Sequence, residues 1–365
     1  MGRVRAALLS LALGAAAGPV SGDPPRAPAQ GPPYDVTSPT PHSISMVVDT
    51  GPARDFLELV AATETAPAAL RRLRESRPVL LALERENRPA EQFFGRLVAY
   101  AAGTPDPFLS VVKSQAEPLR KLLDALETEG TGGAVVEARR IASLLPPSPA
   151  VTARLSLVPF FGLGGFSDVQ PVAERDQLFL LCDLPRILAD SRGTTPPRES
   201  VLKLLRAGAS EAWRNLFERS FRTAPGWAAA PEPGFDALAA QTVADGVAML
   251  FLVPDEFFPL PDLFSEPIER AFVRWNAAAE RLLDPAVKPE EKRDLLREGG
   301  QGDFWSRYPA VVGAQAAEAI LRRPGREAFA RALGEGPRSV LALYVSLGEK
   351  KLPAVSKTVR RALAP

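Results

Sequence analysis

Along most of this chain, apolar residues recur three and four positions apart, and the runs that carry them stop at prolines and glycines. That spacing puts one apolar stripe on each of many successive helices, so packed helices are the expected bulk of the fold. In "ARDFLELVAATE", Phe56, Leu57 and Val60 share a face. "ALRRLRESRPVLLALEREN" and "EQFFGRLVAYAAG" follow the same rule. "PLRKLLDALETEG" ends at a glycine suited to a C-terminal cap, and "GGAVVEARRIASLLPPSP" is stopped by prolines. Helices resume in "TTPPRESVLKLLRAGASEAWRNLFERSF", with Thr195 as N-cap and Pro196 at the first helical position. Leu202, Leu205, Ala209, Ala212, Leu216 and Phe217 form its expected buried stripe. The pattern continues through "FDALAAQTVADGVAMLFL", "PIERAFVRWNAAAERLL", "AVVGAQAAEAILRR" and "PRSVLALYVSLG".

The period changes in one region. "ARLSLVPFFG" and "DQLFLLCDL" read as strands on either side of "LGGFSDVQPVAER", and they predict a hairpin or a pair of neighbouring strands. "SISMVVDT" reads as a short strand or extended entry. The expected class is mostly α (α+β), a helical domain with a small β-hairpin or short sheet near residues 153–184.

The termini read differently. Arg3 and Arg5 precede the apolar run Ala6–Gly18, and small residues follow, which is the plan of a secretory signal cleaved after Ala17 or Gly22. The other reading, a membrane anchor, needs about 20 apolar residues, and this run is shorter. Residues 1–22 are thus expected to be a signal peptide, with a secreted or periplasmic destination in a bacterium. Residues 23–43 are rich in Pro, Ser and Thr and read as a disordered linker containing His42. Residues 44–350 read as one domain, and 351–365 as a basic tail.

Lys and Arg total 44 against 43 Asp and Glu, so no basic excess suits nucleic acid. Cys182 is the sole cysteine and excludes an internal disulfide; within "LFLLCDL" it reads as a buried thiol. His42 is the sole histidine. A Ser-His-Asp or Cys-His nucleophile needs an imidazole beside it, so both arrangements are excluded. Ser200 and Lys203 match Ser-x-x-Lys in spacing alone, without that class's other motifs. "GLGGFSD" (Gly162–Asp168) lacks the Gly-Lys-[Ser/Thr] of a phosphate loop, and its glycines suit a turn. No cofactor is indicated. Trp213 and Phe217 read as core, with a stacking platform as the alternative. Asp168, Asp183 and Asp245 are the candidates for a carboxylate pair. Asp245 stands in an otherwise uncharged stretch, either as a general acid or ligand-binding carboxylate, or as half of a structural ion pair or a helix cap.

Three groups of stretches carry a further signal. They are "LVPFFGLGGFSDVQ" with "LFLLCDL", then "ESVLKLLRAGASEAW" with "FDALAAQTVADGVAML", and finally "YPAVVGAQAAEAILRRPGREAFARALGEGPRSVLALY". Their order and spacing resemble a bacterial family of exported zinc-dependent peptidases with a zincin-like fold, over residues 44 to about 347. The resemblance implies a His-Glu-x-x-His helix that holds Zn²⁺ and a third ligand in a Glu-Gly-[Ile/Val]-Ala setting on the next helix. In this chain "RAGAS" aligns with the first motif, placing Arg206 and Ser210 where the histidines would stand. Asp245, followed by Gly246, Val247 and Ala248, takes the place of the third ligand. The form is degenerate, and no metal is expected. The resemblance also implies a cleft lined by Phe161, Gly164, Gly165, Ser167 and Trp213, with Asp168 overlooking it. Two expectations follow: Arg206 fills the vacant metal position and pairs with Asp245, and the protein is a non-catalytic pseudopeptidase that binds a peptide or partner protein. A strand edge near Phe160 and Phe161 would accept the peptide. The alternatives are a metal-independent or carboxylate-based hydrolase using Asp245 and Asp168, and a structural envelope protein whose cleft is filled by Trp213 and Met249. No nucleic acid and no membrane span after signal cleavage are expected.

Overall fold

The structure, a computed structural model, describes residues 40–62, 66–161, 169–184, 197–228, 233–252, 265–301, 305–348 and 354–364. The described chain begins with strand β1 (Ser43–Val48). Helices α1 (Gly51–Ala61), α2 (Pro67–Glu75), α3 (Arg77–Arg85), α4 (Ala90–Ala101), α5 (Pro107–Ser114), α6 (Ala116–Thr128) and α7 (Gly130–Ser143) follow. Strands β2 (Thr152–Phe160), β3 (Val169–Glu174) and β4 (Gln177–Asp183) come next. The remaining helices are α8 (Pro197–Phe221), α9 (Phe235–Leu250), α10 (Ser265–Leu283), α11 (Pro289–Gly299), α12 (Tyr308–Arg322), α13 (Arg326–Glu335), α14 (Pro337–Ser346) and α15 (Lys357–Leu363). The protein is mostly α with one small mixed sheet.

Local chemistry sets many of the boundaries. Asp106 caps α5 by accepting the Leu109 N–H at 3.1 Å, and Pro107 occupies the first turn, where no N–H is needed. The helical pattern over "ALRRLRESRPVLLALEREN" is broken at Ser76, which ends α2 and opens α3 with an extended ψ of 107°. Pro78 is the reason: it has no N–H for the Arg74 carbonyl, and its ring crowds that carbonyl.

The strand order is β1-β2-β4-β3. Ser43 N–H donates to the Val151 carbonyl and Asp49 N–H to the Leu157 carbonyl. The constant offset makes β1 parallel to β2. β2 runs parallel to β4, with Arg154 opposite Gln177 and Phe160 opposite Asp183. The two strands expected from sequence are therefore neighbours rather than the arms of a hairpin. The hairpin is β3–β4, closed at Arg175 and Asp176, with Arg175 at φ 53°. β3 is "VQPVAE", and its Pro171 is tolerated because β3 is an edge strand. β2 lies between β1 and β4 rather than at the edge of the sheet, so it is not the edge strand expected near Phe160 and Phe161, and both rings are buried.

Contacts divide the chain into two compact units. One comprises residues 44–139 and 152–212 and holds the sheet. In it, Phe56 of α1 stacks on Phe161 at 4.6 Å between centroids and lies 6.2 Å from Phe93 and 6.4 Å from Phe160. Burial of each ring stabilises by about 1.5–3 kcal/mol, and each good ring pair adds about 0.5–1.5. The first half of α8 lies close against the sheet: a Cβ on Gly208 would fall 2.5 Å from Leu157 Cδ1, with Met46 and Leu180 next nearest.

The described residues of the other unit fall within 40–43, 140–151 and 213–364. Its centre is the crossing of α9 and α12, where Gly246 meets Gly313 backbone to backbone. Trp213, Phe217, Phe221 and Trp227 form a ring cluster, with Trp213 stacked on Phe217 at 4.8 Å. The buried indole N–H groups are satisfied: Trp213 donates to the Leu144 carbonyl at 3.1 Å, Trp227 to that of Leu333 at 2.7 Å, and Trp275 to Thr242 Oγ1 at 2.8 Å. The basic C-terminal stretch carries α15, which buries Val359 and Leu363; Asn276 holds its approach by bonding the Ala354 carbonyl and the Ser356 N–H.

His42, expected in a disordered linker, is buried, and its Nδ1 accepts the Val151 N–H at 3.0 Å. Tract composition concealed it: one apolar-packing residue at the end of a polar run does not change an average. The expected signal peptide and residues 23–39 of the expected linker lie outside the described residues. Among the described residues no helix is long and apolar enough to cross a membrane.

Candidate functional site

The stretches that carry the resemblance fall on α8 and α9. In the first half of α8, Gly208 packs onto the sheet, Arg206 is half-buried, and Ser210 is buried and engaged. On α9, Leu238, Thr242, Asp245 and Met249 recur at helical spacing. Asp245 Oδ1 lies 3.2 Å from Arg214 Nη2, with the two side chains 20% and 32% exposed. The expected cation on α8 is thus present, but it is Arg214 and not Arg206. Eight residues separate them, about 12 Å along a helix. The reason lies in how α8 is shared: its residues through Ala212 belong to the sheet unit, whereas those from Trp213 onward belong to the unit that contains α9.

The setting of Asp245 has a packing explanation. A Cβ on Gly246 would fall 2.2 Å from the Gly313 carbonyl carbon, so the residue after Asp245 must be glycine for α12 to approach. One turn back, Thr242 Oγ1 donates to the Leu238 carbonyl at 2.7 Å and accepts from Trp275. Beyond Asp245, the end of α9 is finished by Arg140, whose Nη2 donates to the Leu250 carbonyl at 2.6 Å and whose guanidinium lies 5.0 Å from the Phe251 ring centre. A cation there complements the negative end of the helix dipole.

Of the other positions expected to line the cleft, those described are buried. Phe161 is buried in the ring cluster around Phe56. Trp213 is fully buried core, and Met249 is buried as well. Gly164, Gly165, Ser167 and Asp168 lie outside the described residues, so the two-carboxylate arrangement of Asp245 with Asp168 has one described member. Cys182 is buried, with Sγ 3.5 Å from the Leu180 carbonyl. Among the described residues, no three His, Cys, Asp or Glu side chains gather as a metal ion would require.

An open groove lies elsewhere. Glu129, Gly133, Arg198, Val201, Leu202 and Leu205 line a cavity of about 460 Å³ between the start of α7 and the first turns of α8. Its mouth carries the Arg198–Glu129 ion pair at 3.7 Å. Leu202, expected in the buried stripe of α8, is 39% exposed instead. Gly133 lets Leu205 pack closely on α7, since a Cβ there would fall 2.5 Å from Leu205 Cδ1. A smaller hollow of about 220 Å³ is lined by Arg88, Pro89, Gln92, Phe93 and Arg96, and Arg96 is already paired with Asp106.

No known protein family, curated protein or solved structure matches this chain. The functional reading therefore rests on geometry.

Proposed function

We propose that this is an exported, non-catalytic binding protein with a peptidase-like layout, which takes up an apolar peptide segment in the groove between α7 and α8. The observation that carries the reading is the condition of Asp245. The carboxylate in the third-ligand position is engaged by Arg214, and a fixed cation there occupies the charge that a metal would have met. The ligand class follows from the groove. Val201, Leu202 and Leu205 offer an apolar wall with an ion pair at its rim, which suits a partner helix presenting apolar side chains four residues apart. Export is inferred from residues 1–22.

The test has two parts. The purified protein is assayed for bound zinc, and peptides selected against it by display are re-measured on Leu202→Glu. The expected result is no stoichiometric zinc, and binding weakened at least about tenfold by the buried charge. Stoichiometric zinc, or selected peptides that bind Leu202→Glu unchanged, would overturn the proposal. A structural envelope role is favoured by one observation, the complete burial of Trp213 together with Met249; a selection that yields no binder would support that reading.

A further inference from the structure

We infer that His42 is a pH-operated latch that fastens the chain entering β1 to the chain entering β2 while its ring is neutral, and releases it on protonation. Two hydrogen bonds converge on Val151, the residue before β2. Ser43 N–H donates to its carbonyl at 2.9 Å, and its own N–H donates to His42 Nδ1 at 3.0 Å. The second bond requires a lone pair on Nδ1, which fixes the proton on Nε2. Protonation places a hydrogen on Nδ1 facing the Val151 N–H, so two donors oppose each other and the bond is lost.

The surroundings favour the neutral ring. His42 is 9% exposed and meets Phe221 edge-on at 6.4 Å. Nε2 is buried and makes no hydrogen bond of ordinary geometry, although the carbonyls of Pro146 and Leu145 lie near enough to act on the ring. Burial is the largest influence on the ring and pushes its pKa below the ordinary histidine value; the carbonyls of Pro146 and Leu145 offset this in part. Among the described residues, no charged group contributes to the shift. The segment 144–151 against the ring has no charged residue, and the charges on the last turn of α8 are Glu218, Arg219 and Arg222. Glu218 and Arg222 pair with each other, and none of the three contributes to the shift. Because the folded pKa is depressed, the unfolded chain binds the proton more readily. The stabilisation is complete above the ordinary histidine value and is lost as pH falls through the folded value. With one histidine in the chain, this step belongs to one group.

The experiment is amide hydrogen exchange at Ser43 and Val151 in the full chain, compared near neutral pH and near pH 5 as protection factors. In the wild type, protection at both amides is expected to fall about tenfold, the worth of one buried hydrogen bond. His42→Asn supplies a non-titrating acceptor in the place of Nδ1 and is expected to keep equal protection at both pH values. Equal protection in the wild type, or a pH dependence that persists in His42→Asn, would overturn the inference. If His42→Asn does not fold, proton NMR of the single imidazole decides: a titration midpoint below the ordinary histidine value supports the latch, and one at or above it refutes it.

Discussion

The crossing of α9 and α12 gives the sharpest prediction. A methyl added at Gly313 would place its carbon 1.8 Å from the Thr242 carbonyl oxygen, 2.7 Å from the carbonyl carbon and 3.0 Å from Gly246 Cα. The first distance is roughly 1.5–2 Å short of an attractive separation. Every one of these neighbours is backbone, so no rotamer change relieves the clash; the two helices must part. A radial gap of about 0.5–1 Å already forfeits a quarter to a half of each contact's attraction, and this crossing is lined by buried alanines and valines. Overpacking of this kind costs about 1–3 kcal/mol, and the wholly backbone contact puts it at or above the upper end. Alanine recovers about 1 kcal/mol in helix propensity. Gly313→Ala is therefore expected to destabilise by roughly 2–3 kcal/mol, read as a shift in the denaturant midpoint at constant slope. Gly95→Ala is the control. It lies mid-helix in α4, with nothing within 4 Å of the added carbon, and is expected to stabilise by about 0.5–1 kcal/mol. A Gly313→Ala protein as stable as the wild type would refute the close crossing, and with it the account of why glycine follows Asp245.

Three further outcomes are expected. Thr242→Val removes the acceptor of the fully buried Trp275 indole N–H and should cost about 1–3 kcal/mol in chemical denaturation; a loss too small to measure would mean the indole has another partner. Arg214→Met leaves Asp245 unpaired but still partly solvated, so the loss should stay near ~1 kcal/mol after screening, and a loss several times larger would contradict the stated exposure. Glu127 is held below the ordinary carboxylate range by hydrogen bonds from Arg54, at 2.7 Å, and from Thr50. Its contribution is present above the ordinary glutamate value and is lost as pH falls through the folded value. Arg54→Ala should flatten that acid limb by less than ~1 kcal/mol, as followed by denaturant midpoints between about pH 6 and pH 3.

Much of the helical framework is written in the spacing of apolar residues, because each helix buries one stripe and that stripe is a local property of its own sequence. The failures fall where the deciding contact is remote. Ser76 breaks a continuous stripe because of one missing N–H at Pro78, which periodicity does not register. The sheet order depends on pairing between stretches far apart, so "VQPVAE" passed for a loop although it is half of the hairpin. Arg206 and Arg214 lie on the same helix with similar surroundings in sequence, and only the packing of α8 against α9 distinguishes them. Leu202 belongs to the apolar stripe of α8, yet it stands exposed in the groove beside α7, and its own spacing does not show which elements cover it. His42 is concealed by the composition of its own tract.

The parallel pairing of β1 with β2 has a kinetic consequence. Roughly a hundred residues intervene between the two strands, and closing such a loop costs about 4 kcal/mol of chain entropy by the logarithmic rule, whereas β3 and β4 meet across a two-residue turn. The hairpin is thus expected to nucleate the sheet, with β4 then recruiting β2 and β1 arriving last, once α1 to α7 have shortened the path between its ends. Pulse-labelled hydrogen exchange during refolding would show this as early protection at Phe179, whose N–H faces Val172 of β3, and late protection at Asp49; simultaneous protection would mean that the sheet forms in one step. A strand that joins last is also the first to leave, so β1 is the natural point at which unfolding begins.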